Sequence, residues 1–368
     1  MSKKRLGISI YPEFASYEEN IKYLETAAKY GFDVLFLALL NVKEEAQVVI
    51  DYYKDLTFKA KELGFEICCD VNPMVFKHLG VNASIFNGPI DLSFFKELKV
   101  DVLRLDLGMT DLEEAFLSKN NYGIKICLNG ATKCDHIGHV LEAGGDPQNI
   151  IGCHNYYPHR YTGVSLPFFE QGTANWVKHN LRLQAFVSSN EKNAFGPWPV
   201  TEGLPTLEMH RNWTINTQVK HYLMMGTIDD IIIGNCFASE EELKSMSEAN
   251  TDVITFNISL TENLPENMKK RLKMQLSKRG DINDYIIRTL ESRILREEVG
   301  PFNTVDIHRG DILIDNKLYG QYAGEVQIAL QDMENSGKTN VVGHLKEEEI
   351  ELLPYLKGGQ QFTFNFNN

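Results

Sequence analysis

Eight short, nearly continuous apolar runs are spread through the first part of the chain, and amphipathic segments separate them. The runs cover residues 6–10, 34–40, 65–69, 102–107, 124–128, 150–153, 183–187 and 231–233. Strands that are buried on both faces, as in parallel sheets covered by helices, have this almost unbroken apolar character. The alternation therefore predicts repeated βα units, and eight such units close a (β/α)8 TIM barrel.

The segments between the runs carry helix signals. Ser16 followed by Glu19 is typical of a capping box, and further helices are predicted over 44–63, 136–143, 167–179 and 205–225. An open, doubly wound sheet is the alternative architecture. However, Tyr-Pro-Glu at residues 11–13, rather than a glycine-rich dinucleotide loop, follows the first run, which favours the barrel.

The pattern changes after about residue 245 and becomes rich in strand signals. Residues 254–260 and 361–366 alternate between apolar and polar side chains, and residues 286–295 are also strand-like. We therefore predict two domains within an α/β fold class. Residues 1–245 form the barrel and residues 246–368 form a small separate β-barrel.

Charge and cysteine usage restrict the partners and the compartment. The net charge is −13, and such an acidic chain is a poor match for nucleic acid or for an anionic membrane. We find neither a secretion signal nor a long apolar segment, and the six cysteines show no CxxC spacing. A cytoplasmic protein without a zinc motif is predicted, and a homo-oligomer is compatible with the sequence.

Polar residues follow nearly every predicted barrel strand. The active site of this fold lies at the carboxyl ends of the strands, so these residues are candidate ligands of a substrate. They are Glu13, Asp70, Asn72, Arg104, Asp106, Asn129, His154, Asn155 and Tyr157. Alternation places Arg104 and Asp106 on the same side of their strand, either as a structural ion pair or as a functional carboxylate oriented by the arginine.

Two loops add further candidates. The loop over residues 154–165 is rich in hydrogen-bonding and aromatic side chains, and its His159 and Arg160 could hold an anion. The long loop after the seventh run contains Glu202, and Glu208, His210 and Arg211 come directly after it. Arg211 with His210 is the alternative pair for holding an anion. Packing of the first loop onto the next helix, and a helix-start role for Glu208, are the structural alternatives.

Several carboxylates without a metal motif indicate general acid–base chemistry, and no cofactor is expected. A metal held by His154, His210 and Asp70 is the alternative, although neither HxH nor HExxH spacing supports it. A barrel isomerase or aldolase is a second enzymatic alternative. The aldolase is disfavoured because Lys125 lies inside the fifth run and not at its end.

Several longer stretches resemble a known family. They include GISIYPE (7–13), RLDLG (104–108), HNYYPHRYTGVS (154–165), GLPTLEMHR (203–211) and RGDILIDNKLYGQYAGEVQI (309–328). In these stretches the chain resembles the 6-phospho-N-acetylmuramidase family, whose members were long labelled outer surface proteins. The resemblance implies a TIM barrel followed by a cyclophilin-like β-barrel domain. It also implies hydrolysis of the β-1,4 bond in 6-phospho-N-acetylmuramyl-N-acetylglucosamine, a phosphodisaccharide of cell-wall recycling.

Glycoside hydrolysis commonly uses two carboxyl groups, and position selects Asp106 and Glu202 for these roles. Arg104 should keep Asp106 ionised as nucleophile or base, whereas partial burial should raise the pKa of Glu202 and make it the acid. Glu208, Asp70 and Glu13 are the reserves. Catalysis by the substrate's own acetamido group stays open. A non-catalytic sugar-phosphate-binding or surface protein is the rival from another class.

Overall fold

The computed structural model describes residues 4–39, 46–105 and 109–366, which form two compact units over residues 4–248 and 249–366. In the first unit, eight parallel strands close a barrel in chain order. They are β1 (Arg5–Ile10), β2 (Val34–Ala38), β3 (Glu66–Val71), β4 (Val102–Leu105), β5 (Lys125–Asn129), β6 (Ile150–Cys153), β7 (Leu183–Val187) and β8 (Asp230–Ile233). Each of the eight predicted runs overlaps one of these strands.

Helices follow the strands of this unit. They are α1 (Tyr17–Lys29), α2 (Ala46–Glu62), α3 (Pro73–His78), α4 (Ser93–Glu97), α5 (Asp111–Leu117), α6 (His136–Glu142), α7 (Leu166–Lys178), α8 (Ile215–Met225) and α9 (Glu240–Ala249). The capping box is confirmed, because the Ser16 hydroxyl accepts from the Glu19 N–H and the Glu19 side chain accepts from the Ser16 N–H. Within the described residues, no helix combines the length and apolarity that a membrane crossing requires.

The single helix predicted over residues 205–225 is wrong. The chain instead forms a short 3-10 turn over Glu208–Asn212 and begins α8 at Ile215. Trp213 and Thr214 separate the two because their backbones are extended, with ψ values of 149° and 148°.

The barrel interior is apolar at mid-height and aromatic towards the carboxyl ends of the strands. The thiols of Cys68, Cys127 and Cys153 belong to the fully buried core cluster in the middle. Above them Phe36 and Phe186 meet edge to face, with ring centroids 5.0 Å apart. Inward-facing side chains thus fill the barrel, as this fold requires.

A partly buried ion network fills the amino-terminal end of the barrel. The Arg182 guanidinium donates to Asp230 Oδ2 at 2.8 Å and to Glu66 Oε1 at 2.6 Å, and Arg5 donates to the same Glu66 oxygen at 3.1 Å. The Gln184 amide adds a bond of 2.7 Å to Asp230. The Asp230 side chain is fully buried, and burial raises its pKa although Arg182 opposes the shift. The arginine therefore compensates a carboxylate that has no contact with solvent.

The second unit is a seven-stranded sheet with the order β10-β15-β9-β14-β12-β13-β11. Its elements are β9 (Ile254–Leu260), α10 (Glu266–Leu272), β10 (Leu276–Ser277), β11 (Ile286–Arg288), β12 (Asp311–Asp315), β13 (Val326–Ala329), β14 (Thr339–Leu345), α11 (Glu347–Ile350) and β15 (Gln361–Asn365). Just beyond β10, the Arg279 N–H donates to the Arg288 carbonyl on the opposite edge, so the sheet curls. The predicted fold class, a TIM barrel followed by a smaller β domain, is confirmed; the likeness to cyclophilin stays a prediction.

Replacing Arg182 with Met should lower the free energy of unfolding of the barrel unit by about 3–5 kcal/mol, because Asp230 loses its buried partner. All three tryptophans of the chain lie in this unit, so denaturant unfolding followed by tryptophan fluorescence measures the loss. Lys178→Met is the matched control. It removes an ion pair with Asp135 whose lysine side chain is 64% exposed, and it should cost less than about 1 kcal/mol. Equal losses for both variants would contradict a stabilising role of the network.

Candidate functional site

Three of the predicted site residues meet in the mouth of the barrel. Asp70 and Arg104 are register partners on β3 and β4, and their buried side chains form an ion pair between Asp70 Oδ1 and Arg104 Nη1. Arg104 Nη2 also donates to the side-chain oxygen of Asn155, which follows β6. The guanidinium lies 5.9 Å from the ring centroid of Phe36. This cluster forms the floor of the mouth, and the charges of Asp70 and Arg104 balance each other.

The expected partner of Arg104 was Asp106, and Asp106 lies outside the described residues. The structure shows that Arg104 forms an ion pair with Asp70 on the neighbouring strand β3. The sequence of β4 alone could not indicate this partner. Asp70 is therefore a partner of Arg104 and is less suited than expected to serve as a free acid.

Two tyrosines stand beside this floor. Tyr156 packs against Phe186 and Phe36, with ring centroids 4.9 Å and 6.0 Å away. Tyr157 is half-buried, and burial raises the pKa of its phenol although the Arg104 charge opposes this shift. Tyr157 was a predicted ligand, whereas Tyr156 was not singled out even though it precedes Tyr157 in the same aromatic loop. Together they give the mouth an aromatic wall, a surface on which a sugar ring can pack.

Arg211 ties together the loops that follow β6 and β7. Its Nε and Nη2 atoms each donate to one Glu208 oxygen at 2.7 Å. The same guanidinium donates to the carbonyl oxygens of Glu202, Tyr157 and His159 at 2.9–3.1 Å. The arginine side chain is only 5% exposed. Arg211 therefore positions the loops, and its hydrogen bonds leave it little capacity for a substrate anion.

Glu208, the partner of Arg211, also binds the main chain of the β6 loop. Its carboxylate accepts the N–H groups of Tyr161 and Gly163, each at 2.8 Å. Burial raises the pKa of Glu208, but hydrogen bonds from Arg211 and from these two amides outweigh it, so the pKa is lowered. A Cβ at Gly163 would lie 2.7 Å from the Glu208 nitrogen, so only glycine permits this approach. Glu208 is a structural carboxylate at the start of its 3-10 turn.

Glu202 is an acidic side chain of the β7 loop that stays partly open to solvent. Its side chain is 33% exposed and accepts from the Arg160 N–H at 3.0 Å, with Arg160 Nε 3.4 Å away. The bond from the Arg160 backbone, followed by the charge of Arg160, lowers the pKa of Glu202. The expectation that burial raises this pKa is wrong, because the backbone hydrogen bond stabilises the charged form.

Arg160 and His159 lie on the outer part of the β6 loop. The Arg160 side chain is 60% exposed, and its guanidinium contacts Glu202. His159 is exposed as well, and its Nδ1 lies 2.6 Å from the Arg160 carbonyl oxygen. Both side chains are thus accessible to an anionic ligand.

His154 and His210 lie in the core, away from the mouth. His154 Nε2 is 2.9 Å from the Thr173 hydroxyl of α7, and the imidazole ring lies against Phe169, with centroids 4.2 Å apart. His210 Nε2 is 2.8 Å from Nδ1 of His221 on α8. Burial lowers the pKa of His154 to about 3 and that of His210 well below its usual value. Their separate packing rules out the metal site considered for them together with Asp70.

The remaining candidates have local roles. Asn72 caps α3 by accepting from the N–H groups of Met74 and Val75, and Asn129 accepts from the Ala131 N–H at 2.8 Å. Glu13 is exposed in a short 3-10 turn after β1. The structure therefore brings together Asp70, Arg104, Asn155 and Tyr157 at the floor of the mouth. Glu202, Arg160 and His159 lie on the two loops that Arg211 joins.

The pH dependence of stability should expose the buried histidine. Because the pKa of His154 falls from 6.5 unfolded to about 3 folded, the unfolded chain takes up a proton first as the pH drops. Stability should therefore decrease below pH 6.5, by up to about 1.4 kcal/mol per pH unit from this residue. His154→Gln should reduce that slope when denaturation is measured from pH 6.5 to 4. Identical slopes would show that His154 is protonated in the folded protein.

Known proteins support the architecture and identify the family. The description "6-phospho-N-acetylmuramidase, N-terminal" matches residues 6–248, and the corresponding C-terminal description matches residues 254–365. A crystal structure of an uncharacterized Bacillus cereus protein is 36% identical, with a TM-score of 0.89, over 99% of this chain and 100% of that one. A conserved Enterococcus faecalis protein of unknown function is 25% identical, with a TM-score of 0.75, over 99% and 97% of the two chains. No curated protein matches significantly. The two domain matches together span nearly the whole chain, which therefore belongs to the 6-phospho-N-acetylmuramidase family.

Proposed function

We propose that this protein is a glycosidase that hydrolyses the β-1,4 bond of 6-phospho-N-acetylmuramyl-N-acetylglucosamine. The observation that carries the proposal is the family match in both units, over residues 6–248 and 254–365. A barrel mouth with an aromatic wall and converging polar groups supports it, because such a mouth can hold a sugar and its substituents. The reaction would belong to cell-wall recycling in the cytoplasm and needs no cofactor.

The geometry favours Arg160 with His159 as the phosphate-binding pair. Two arginines were candidates, but Arg211 is buried and already bonded to Glu208 and to loop carbonyls. Arg160 is 60% exposed, and its side chain contacts only the partly exposed Glu202 in the described part of the chain. Arginine binds phosphate through charge-assisted hydrogen bonds, so turning from Glu202 to a phosphate keeps its charge paired.

Glu202 and Asp106 are the proposed catalytic carboxyl groups. The lowered pKa of Glu202 favours an ionised role, either as a base towards water or as a group that orients the substrate's acetamido nitrogen. A general acid must hold a proton at the working pH, which a lowered pKa opposes. The leaving oxygen is therefore protonated by another group, and Asp106 is the first residue to test for that role.

Removing the Glu202 carboxylate should abolish most turnover. Glu202→Gln should lower kcat/KM for the phosphodisaccharide by at least about 100-fold, measured by release of N-acetylglucosamine. An aryl 6-phospho-N-acetylmuramide with a good leaving group should not restore the rate, because the lost group is not the acid. Glu191→Gln changes an exposed acid on the same loop and should retain normal activity. Rescue by the aryl substrate would instead make Glu202 the acid.

Asp106→Asn should cause a comparable loss on the natural disaccharide, and the aryl substrate should restore much of its rate if Asp106 is the proton donor. Full activity of both variants would contradict this catalytic pair. Tight binding of the disaccharide by the wild-type protein without any turnover would support the rival, a sugar-phosphate-binding protein.

The phosphate contact can be tested separately. Arg160→Ala should raise KM for the phosphorylated disaccharide by at least about tenfold, because a charge-assisted hydrogen bond is lost. The KM for the unphosphorylated analogue should stay near that of the wild type. Lys192→Ala removes another exposed cation, from the β7 loop, and should change neither value. An equal rise for both substrates in Arg160→Ala would remove the phosphate role from Arg160.

A further inference from the structure

Two neighbouring helices of the barrel unit each carry a pair of metal-ligand side chains at a spacing of three residues. Asp111 and Glu114 lie on α5, and His136 and His139 lie on α6. Residues three apart project from the same face of a helix, so each pair can contribute to one site. Paired carboxylates and imidazoles on adjacent helices are a common way of building metal sites between helices.

The ligand atoms of three of these residues converge. His136 Nε2 lies 2.7 Å from Glu114 Oε2 and 3.4 Å from Asp111 Oδ1, and single ligand atoms of all three lie within 4.8 Å of one another. Tetrahedral ligands at zinc-like bond lengths are about 3.3 Å apart. His139 Nδ1 is 3.8 Å from the second Asp111 oxygen, within reach of the same site. Binding an ion would require His136 Nε2 and Glu114 Oε2 to move apart by about 0.6 Å, from 2.7 Å.

The burial of Glu114 points to a ligand. Only 2% of its surface is exposed, and its Oε2 atom forms an ion pair with His136 Nε2 at 2.7 Å, outside normal hydrogen-bond geometry. A buried carboxylate is costly unless it is well paired or coordinates a metal. The contact with His136 brings two ligand atoms together without aligning a ring N–H with the oxygen.

Helix capping does not account for these acids. The amino terminus of α5 is already capped, because Thr110 and Glu113 form a complete capping box. The Glu113 carboxylate is further bonded by Ser84. Asp111 and Glu114 are therefore additional carboxylates that face the imidazoles of α6.

We propose that Asp111, Glu114 and His136 bind a divalent transition-metal ion, with His139 or water as the fourth ligand. Mixed nitrogen and oxygen ligands suit Zn²⁺ better than Ca²⁺ or Mg²⁺, which prefer oxygen alone. The ion would join the first turns of α5 and α6 as a structural tie. This inference is independent of the proposed glycosidase activity.

Zn²⁺ titration of the tag-free, metal-stripped full chain tests the proposal. Calorimetry should show one ion bound per chain, and His136→Ala and Glu114→Gln should each weaken that binding by at least about tenfold. His179→Ala is the matched control, since His179 pairs with the single carboxylate of Asp135 and should leave the binding unchanged. An absence of stoichiometric binding, or wild-type affinity in both variants, would overturn the site.

Co²⁺ provides a second readout that does not depend on affinity. The wild-type protein should develop the visible absorption bands of four-coordinate cobalt, and these bands should disappear in Asp111→Asn, whose side chain is 47% exposed and whose replacement is mild for folding. Circular dichroism of each metal-free variant checks its fold. Unchanged cobalt bands in Asp111→Asn would exclude Asp111 as a ligand.

Discussion

The arrangement of the candidate site depends on the guanidinium of Arg211. One buried side chain joins two loops that come from different strands, because it donates both to the Glu208 carboxylate and to main-chain oxygens of each loop. Loop carbonyls in a barrel mouth have no strand partners, and leaving them buried without donors would cost free energy. The planar guanidinium of Arg211 has several N–H donors, so it binds these carbonyl oxygens together and fixes the distance between the two loops. Lysine could not replace it.

The barrel places compensated charges at both ends of its interior. Arg182 and Asp230 close the amino-terminal end, whereas Asp70 and Arg104 form the floor of the mouth, and an apolar layer separates them. A buried ion pair adds little net stability compared with apolar packing, but losing one partner is costly. The pair at the mouth is therefore better understood as a fixed electrostatic environment for a ligand than as a source of stability.

The sequence predicted the fold well because the relevant signals are local. Each barrel strand is an apolar run, and Ser16 with Glu19 marks the start of α1 within four consecutive residues. The partner of Arg104 could not be predicted in this way, because strand register joins it to a residue on a neighbouring strand. Asp70 and Asn155 were recognised as site residues, but their common contact with Arg104 was not.

The errors in the candidate site have related causes. His154 directly follows inward-facing Cys153, so strict alternation along β6 turns its ring outward towards α7 and away from the mouth. The pKa of Glu202 was misjudged because its hydrogen bond comes from Arg160 on another loop. Contacts between loops follow from the closed barrel and from Arg211, neither of which is visible in a local stretch of sequence.

The cysteine layer of the barrel has a consequence for its chemistry. Five of the six thiols are buried, whereas Cys134 is exposed, and burial raises the pKa of the Cys69 and Cys236 thiols, among others. Alkylating reagents attack the thiolate, so Cys134 should be modified quickly and the buried thiols only when the barrel unit opens. The rate at which the buried cysteines are alkylated therefore reports how often the barrel opens. Mass spectrometry can measure this rate in the native chain without an introduced label.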